Sequence, residues 1–354
     1  AGIACALTEA CLQVRRAAAM PVCGSPDSLY VGREYCRAQD LRGILKEAST
    51  AKFDFVVVDL FKGVDKIPTE GKYQLEPSTV SDLALDSKTW SSAVIGKLSS
   101  WIQLDRALTP NQRKFCLDAL EQELSWGSHL GVYGIILPCP TESCELYAAA
   151  LSRIGLTSIC TTQLMVRIPL LRQENGTEVD GWNTWNNLRL LCDQNPRLQV
   201  CLEFTADLPE SDPELNRWLA EPVRSVIIPT DAFLTNKQGF PVLSKRHKAF
   251  LLQLFRNKVQ IILQGLPEGK ASESETEKYL HYVARLFQSR PAPTAQEQFE
   301  QPYHDYLQAP LQPLQDNLES QTYETFEKDP VKYVQYEEAI HRCMQDKLGG
   351  GKTR

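Results

Sequence analysis

Eight short apolar runs, separated by stretches with helical spacing, recur along the first three quarters of the chain. Most are continuously apolar rather than alternating, as in Phe53–Phe61 (FDFVVVDLF), which is typical of parallel strands that helices cover. Eight strands that alternate with helices over about 260 residues favour a TIM-type (β/α)8 barrel over a doubly wound sheet. The predicted strands are Leu29–Gly32, Phe53–Phe61, Ala93–Leu98, Val132–Leu137, Leu164–Pro169, Leu198–Phe204, Val223–Thr230 and Val259–Gly265.

The intervening stretches carry helix signals. Thr109-Pro110, for example, combines a capping residue with a proline at the first helical position. The predicted helices are Asp40–Ala51, Thr109–Leu124, Thr141–Ile154, Trp185–Cys192, Pro213–Ala220, Leu243–Phe255 and Glu273–Gln288.

The pattern changes after Gln288, where residues 290–313 hold five prolines and five glutamines. This composition predicts an extended connector over residues 291–328, followed by a short helical segment at Val331–Leu348. We therefore expect the barrel domain at residues 20–290 and the start of a further domain at 329–354. Residues 1–19 precede Met20 and are expected to be extraneous or disordered.

Composition narrows the class of protein. No apolar run approaches the roughly 18 residues that cross a bilayer, and a net charge of −6 gives no reason to expect membrane or direct nucleic-acid binding. Eleven cysteines without a CxxC pair predict reduced thiols, a cytoplasmic or nuclear location and no metal site. The five histidines show no metal-ligand spacing and are expected at the surface.

Polar residues stand at the predicted ends of several strands. In TIM barrels the catalytic groups cluster at these carboxyl ends, so a carboxylate and a cation here could form an acid/base site. The same residues could instead form salt bridges inside the barrel rim, and the residue types alone favour that interpretation. They are Asp59, Lys97, Arg167, Glu203 and Gln264.

Longer sequence motifs are more specific. The run YLQAPLQPLQDNLESQTYETFEKDPVKYVQYEEAI (Tyr306–Ile340) closely resembles the entry to the catalytic domain in the type II, symmetric family of protein arginine methyltransferases. Further matches follow in the family's order and cover roughly residues 29–345. They are VIGKLSSWIQLD (Val94–Asp105), LEFTADLP (Leu202–Pro209), RWLAEPV (Arg217–Val223), FLTNKQGFPVLSK (Phe233–Lys245) and SRPAP (Ser289–Pro293). That family places a TIM barrel ahead of its methyltransferase domain.

The resemblance implies a chemistry and a set of site residues. It implies S-adenosylmethionine as cofactor and arginines of histones and RNA-processing proteins as substrates. Phe326 would lie beside the substrate arginine and favour the symmetric product, while Tyr323, Lys332 and Tyr333 would contact the cofactor. In the family, the Gly-rich cofactor loop and the paired-glutamate loop lie beyond residue 354, so this chain alone is expected to be inactive.

The resemblance also implies partners. A groove for a short peptide motif of substrate-adaptor proteins matches Asn236, Lys237, Gln238, Phe240, Glu275, Lys278, His281 and Tyr282. This sequence departs from the family there: Gln238 replaces a Lys, Glu277 a Cys, Lys278 a Ser and His281 a Gln. Homo-oligomers are expected of the full-length family. A WD-repeat partner is also implied, although its segment, Leu170–Leu188, is shortened. Trp182 and Trp185 in that segment are either an exposed anchor or the inward face of a helix.

Three functions remain open on the sequence. The chain could be the barrel portion of a methyltransferase subunit, or a non-catalytic barrel that binds adaptors. An independent barrel enzyme that uses Asp59, Arg167 and Glu203 is the third, and it requires these side chains to converge.

Overall fold

A computed structural model describes residues 28–35, 40–61, 75, 77–78, 80–157, 162–174, 177–267, 273–303 and 317–349. The expectations for residues 1–19 and for His304 lie outside these residues. The chain divides into two compact units, the first ending at Arg290 and the second beginning at Pro291.

A closed barrel of eight parallel strands forms the first unit. Each strand boundary lies within two residues of its predicted position, so the barrel prediction is confirmed. In order around the barrel the strands are β1 (Val31–Glu34), β12 (Gln260–Gln264), β9 (Val223–Pro229), β8 (Leu198–Glu203), β5 (Gln163–Pro169), β4 (Gly134–Leu137), β3 (Val94–Lys97) and β2 (Phe55–Asp59).

Two apolar layers explain why the strands are continuously apolar. Phe55 and Val57 of β2 belong to a small cluster inside the barrel. Val56 and Val58 of the same strand belong to the larger cluster between the strands and the surrounding helices. Since both faces are covered, each apolar strand residue contributes burial free energy, about 1.5–3 kcal/mol for a large aliphatic side chain.

Helices surround the barrel. They are α1 (Leu41–Thr50), α2 (Ser87–Ala93), α3 (Pro110–Leu130), α4 (Cys144–Ala150), α5 (Gly181–Leu191), α6 (Asp212–Asn216), α7 (Lys245–Leu254) and α8 (Glu273–Gln288). The sequence did not predict α2, which is short and buries Trp90.

The longest helix shows how the sequence sets its ends. Thr109 and Gln112 form a reciprocal capping box ahead of Pro110, and Gly131 ends α3 in the left-handed region at φ +72°. The predicted end at Leu124 is too early because Gly127 does not break the helix. A Cβ at position 127 would lie 2.5 Å from Ile135 Cδ1, so glycine there allows close packing on β4.

Two hairpins extend from the carboxyl ends of barrel strands. Strands β6 (Leu171–Glu174) and β7 (Thr177–Asp180) pair between β5 and α5. Strands β10 (Leu234–Thr235) and β11 (Pro241–Val242) pair between β9 and α7. The second hairpin carries Asn236, Lys237, Gln238 and Phe240, which the resemblance assigned to one loop of an adaptor groove.

The second unit is helical in its described parts. It contains α9 (Ala295–Glu300), a 3₁₀ turn at Gln301–Tyr303, α10 (Ser320–Glu327) and α11 (Pro330–Gly349). The prediction of an extended connector is therefore wrong over α9 and α10. Thr294 and Glu297 form a capping box that starts α9, and this local signal outweighs the high proline and glutamine content. In the described residues, no helix is long and apolar enough to span a membrane.

Candidate functional site

A tightly bonded turn joins β10 to β11. The side-chain oxygen of Asn236 accepts hydrogen bonds from the backbone N–H groups of Gln238 and Phe240, both at 2.9 Å. The Asn236 backbone N–H donates to the Phe240 carbonyl at 2.9 Å, and Gly239 takes a left-handed φ of +78°. Because the side chain and the backbone of Asn236 both hold the turn, Phe240 is kept in place with 46% of its surface exposed.

Helix α8 supports this hairpin. The ring of Phe233 packs edge-on against Tyr279, with centroids 5.0 Å apart, and against Tyr282 at 6.1 Å. The Tyr282 hydroxyl accepts a hydrogen bond from the backbone N–H of Leu243 at 3.0 Å. Burial raises the pKa of Tyr282, partly offset by this hydrogen bond. These aromatic side chains thus join the hairpin to the helix, and we refer to the surface formed by residues 234–242 and the exposed side of α8 as the hairpin groove.

Cations stand on the rim of this groove. The Lys278 ammonium lies 5.7 Å from the centroid of the Phe240 ring, within the range of cation–π attraction. Lys237 and Gln238 at the tip of the turn are exposed, as are Glu275 and His281 on α8. The structure therefore joins Phe240 to Lys278 by direct contact and brings Tyr282 to the base of the hairpin. Within the described residues, Glu275 and His281 form no ion pair or ring contact.

The polar residues at the strand ends form a second cluster, at the mouth of the barrel. Lys97 donates to Glu34 Oε1 at 2.7 Å and lies 3.4 Å from Asp59 Oδ1. The amide of Gln264 donates to Glu34 Oε2 at 2.7 Å. Glu34 thus connects strands β1, β3 and β12 through one carboxylate.

Arg167 completes this network. Its guanidinium makes two hydrogen bonds to the Glu203 carboxylate, at 2.7 and 2.5 Å, and a third to Gln264 Oε1 at 3.0 Å. Each of the three carboxylates, on Glu34, Asp59 and Glu203, lies beside a cation. This arrangement supports the salt-bridge interpretation, because Arg167 and Glu203 bond to each other instead of presenting free groups to a substrate.

A buried carboxyl lies next to this network. Glu123 of α3 is 4% exposed, and its Oε2 accepts the backbone N–H of Ser99 at 2.9 Å. Burial raises the pKa of Glu123 to about 7, the Ser99 hydrogen bonds oppose the rise, and the charge on Asp59 adds to it.

One histidine contradicts the prediction that all lie at the surface. His247 is 3% exposed, and its ring packs against Phe204. Its Nε2 is 2.8 Å from the Thr205 carbonyl and therefore donates to it, while Nδ1 is 2.7 Å from the Ser244 hydroxyl. Burial lowers the pKa of His247. His247 is therefore a buried residue that links α7 to the loop after β8 by a hydrogen bond. No signal in the sequence indicated its burial.

The two tryptophans of the shortened segment are not an exposed anchor. Trp185 is fully buried and Trp182 partly so. Their indole N–H groups donate to the two oxygens of Glu221, at 2.9 and 3.1 Å, and Arg189 pairs with the same carboxylate at 2.8 Å. Both residues therefore belong to the inward face of α5, which is the second of the two alternatives that the sequence left open.

The predicted cofactor residues lie on α10 and α11 of the second unit. The rings of Tyr323 and Phe326 meet edge-on at 6.2 Å, and the Lys332 ammonium lies 5.0 Å from the Tyr333 ring centroid. A cavity of about 480 Å³ is lined by Phe326 and Lys332 but not by Tyr323 or Tyr333; its other lining residues are Phe299, Glu300, Tyr303, Thr325 and Asp329. Among the described residues, no group of three His, Cys, Asp or Glu side chains could hold a metal ion.

The fold defines the class of the first unit, a TIM barrel with an ordered hairpin packed on its last helix at the carboxyl ends of its strands. The family model described as PRMT5 TIM barrel domain matches residues 52–289, and the model described as PRMT5 arginine-N-methyltransferase matches residues 294–353. The chain belongs to the protein arginine N-methyltransferase 5 family.

Curated relatives agree with this membership. Protein arginine N-methyltransferase 5 of Oryza sativa subsp. japonica is 39% identical over 362 residues, which cover 91% of this chain and 54% of the relative. The Xenopus laevis protein of the same name is 36% identical over 342 residues, which cover 90% and 53%. The chain thus spans about half the length of the curated relatives it matches. Among solved structures, endonuclease IV from Thermus thermophilus is similar with a TM-score of 0.49 and 16% identity, covering 73% of this chain and all of that one.

Proposed function

We propose that this chain recruits substrates for a protein arginine methyltransferase that forms symmetric dimethylarginine, and that the β10–β11 hairpin with α8 is the recruiting groove. The family membership supports the methyltransferase assignment. The hairpin supports recruitment, because it presents an exposed ring beside cations on a turn that is already ordered.

The main support for this proposal is the environment of the Phe240 ring. A phenyl ring that is 46% exposed, with a cation 5.7 Å from its centre, offers both an apolar contact and a positive charge. Leu234 on the paired strand is 57% exposed and widens the apolar surface. Lys237 at the turn adds a second cation. A short acidic peptide with an apolar anchor matches this surface, and a preordered turn lowers the entropic cost of binding it.

Peptide binding tests the proposal. The probe is a fluorescein-labelled acidic peptide with a Gly-Gln-Phe core, titrated with the chain while fluorescence anisotropy is measured. We expect Phe240→Ala to weaken binding by more than tenfold and Lys237→Ala by about threefold, because the ring is the central contact and the lysine lies at the rim.

Lys114→Ala, at an exposed site on α3, is the matched control and should bind as the unchanged chain does. Circular dichroism confirms that each variant is folded. Failure of the folded, unchanged chain to bind, or equal binding by Phe240→Ala, contradicts the proposal.

The second unit would supply part of the cofactor and arginine site. Its cavity of about 480 Å³ lies within the usual range of about 300–1,000 Å³ for small-molecule sites. Phe326 offers an aromatic face to a guanidinium or sulfonium cation, and Lys332 can donate to the carboxylate of S-adenosylmethionine. These groups fit the cofactor, whose role is to supply the methyl group. Equilibrium dialysis with labelled S-adenosylmethionine tests the assignment, since binding unaffected by Lys332→Ala would contradict it.

A non-catalytic adaptor-binding barrel is the second candidate, and the same groove supports it. The two candidate functions differ only in whether the second unit binds S-adenosylmethionine, because recruitment by the groove needs no methyl donor. Peptide binding without S-adenosylmethionine binding would favour the non-catalytic function.

A further inference from the structure

A groove on the outside of the barrel follows helix α3. This helix has 21 residues, whereas α4, which follows the next strand around the barrel, has 7 residues and continues as a π-helical turn over Leu151–Gly155. A cavity of about 640 Å³ lies between residues 110–125 of α3 and residues 153–157, and we call it the α3 groove. Its wall on α3 is about 22 Å long, at a helical rise of about 1.5 Å per residue.

The floor of the α3 groove is apolar. Leu124 is buried at its base, while Leu117 and Ile154 are half-buried and still partly in contact with solvent. A partner that covers these side chains removes apolar surface from water, which is the main favourable contribution to protein association. A groove of this length suits a helix, which presents side chains to it at every third or fourth position.

Charged side chains line the rim of the α3 groove. Lys114 and Glu121 are exposed on the face of α3 that borders the groove, and Arg113 and Asp118 lie beside them on the same helix. Within the part of the chain that the structure describes, none of these four side chains forms an ion pair. Their charges are therefore open to pairing with another molecule.

These charges follow a two-fold symmetric pattern along the helix. Lys114 and Glu121 are at equal distances on either side of a point between Leu117 and Asp118. An α3 helix of a second copy, turned end to end about that point, would place its Glu121 opposite Lys114 and its Lys114 opposite Glu121. Arg113 would come within one helical turn of the second copy's Asp118. The charge pattern of α3 is thus complementary to itself, which selects a second copy over an unrelated partner.

We propose that the α3 groove is an interface between two copies of this chain, in which each α3 lies antiparallel in the groove of the other. Such an interface is isologous, because the same patch serves both copies and every contact occurs twice. Exposed ion pairs contribute little each, so the dimer is weak and its population depends on the protein concentration.

This surface is distinct from the hairpin groove. Helix α3 follows the third strand of the barrel and the β10–β11 hairpin follows the seventh, so the two lie on opposite sides of the closed barrel. The inference therefore does not rest on the proposed recruiting function. Substitutions of Lys114 alter association and leave peptide binding at the hairpin unchanged.

Charge reversal tests the interface. The variants are Lys114→Glu, Glu121→Lys and the two changes combined, and sedimentation velocity of the full chain measures association over a range of protein concentrations. Lys46→Glu, which reverses an exposed charge on α1, is the matched control for the change in net charge. Circular dichroism confirms that each variant is folded.

We expect the unchanged chain and the Lys46→Glu control to dimerise equally. Either single reversal should weaken association at least about tenfold, because the symmetry turns both pairs into like-charged ones. The combined variant should dimerise again, since its pairs are exchanged but still opposite in sign. An equimolar mixture of the two single variants should form a heterodimer, because one carries only acidic groups at these two positions and the other only basic groups.

A chain that stays monomeric at every concentration overturns the inference. A dimer that neither single reversal weakens forms through another surface and overturns it as well. The same holds if the two folded single variants do not associate with each other when they are mixed.

Discussion

Glu123 is the residue whose environment is least compatible with its usual charge. Its carboxyl is buried beneath the loop after β3, and burial raises its pKa to about 7 from a reference value of 4.5. The folded protein therefore holds a proton on Glu123 more tightly than the unfolded chain does. Between pH 4.5 and 7 the folded state binds more protons, so the free energy of unfolding must fall as the pH rises through this window.

Replacement of Glu123 by Gln should remove this pH dependence. A shift of this size corresponds to about 3 kcal/mol at most, since one pKa unit is about 1.4 kcal/mol. We expect Glu123→Gln to match the unchanged chain near pH 4.5 and to exceed it by up to that amount at about pH 8, because the amide oxygen still accepts the Ser99 N–H without a buried charge. Urea unfolding at both pH values measures the difference.

Glu121→Gln, an exposed change on the same helix, is the control and should leave the pH dependence intact. A Glu123→Gln protein that is no more stable than the unchanged chain at the higher pH would show that the carboxyl is hydrated or paired in solution.

The sequence predicted some residues of the polar network at the barrel mouth and missed others. Asp59, Lys97 and Arg167 were visible because each stands near the end of an apolar run. Glu34, the carboxylate that connects the network, was missed because the first strand was placed two residues too early, ending at Gly32. The burial of Glu123 could not be predicted, because a single glutamate in a helix does not indicate which face of the helix is buried.

At the scale of elements, the β10–β11 hairpin depends on α8 for its position. The hydroxyl of Tyr282 accepts the Leu243 N–H, whereas the Tyr279 hydroxyl makes no hydrogen bond among the described residues. Tyr282→Phe removes an acceptor and leaves a buried N–H without a partner, at a cost of about 1–3 kcal/mol.

We therefore expect Tyr282→Phe to increase hydrogen exchange at Leu243 and to weaken peptide binding several-fold. Tyr279→Phe removes a hydroxyl from the same floor and is the matched control, with little effect expected on either measurement. Unchanged exchange at Leu243 in the Tyr282→Phe protein would mean that the hairpin holds its position without α8.

The strands could be predicted because each is a continuous apolar run. The start of a helix was harder to predict where a single capping residue determines it. The continuous apolar runs located all eight barrel strands. Helix α5 begins at Gly181 instead of the predicted Trp185, because Asp180 caps it by accepting the Trp182 N–H at 2.9 Å. The Asp-Gly pair resembles a turn signal in the sequence. Only the packed structure shows that Gly181 fits against the Pro169 carbonyl, where a side chain could not.

On the scale of the whole molecule, the barrel separates two candidate sites at its carboxyl end. The strand ends themselves carry an ion-paired network, and the hairpin beyond β9 carries the exposed side chains of Leu234 and Phe240. A TIM barrel commonly places catalysis at the strand ends, but here the polar groups there bond to each other. The binding function that we propose therefore uses a loop. The strand pattern located that loop, but its surface chemistry could be read only from the folded structure.

The position of the bound peptide shows whether the hairpin and α8 form the recruiting site. Hydrogen exchange of the chain, measured with and without a saturating acidic Gly-Gln-Phe peptide, locates the contact without any substitution. We predict protection over residues 234–242 and over the first turns of α8, with no change at the barrel mouth near Asp59 and Arg167. Protection confined to the barrel mouth, or none in the hairpin despite measured binding, would contradict the account.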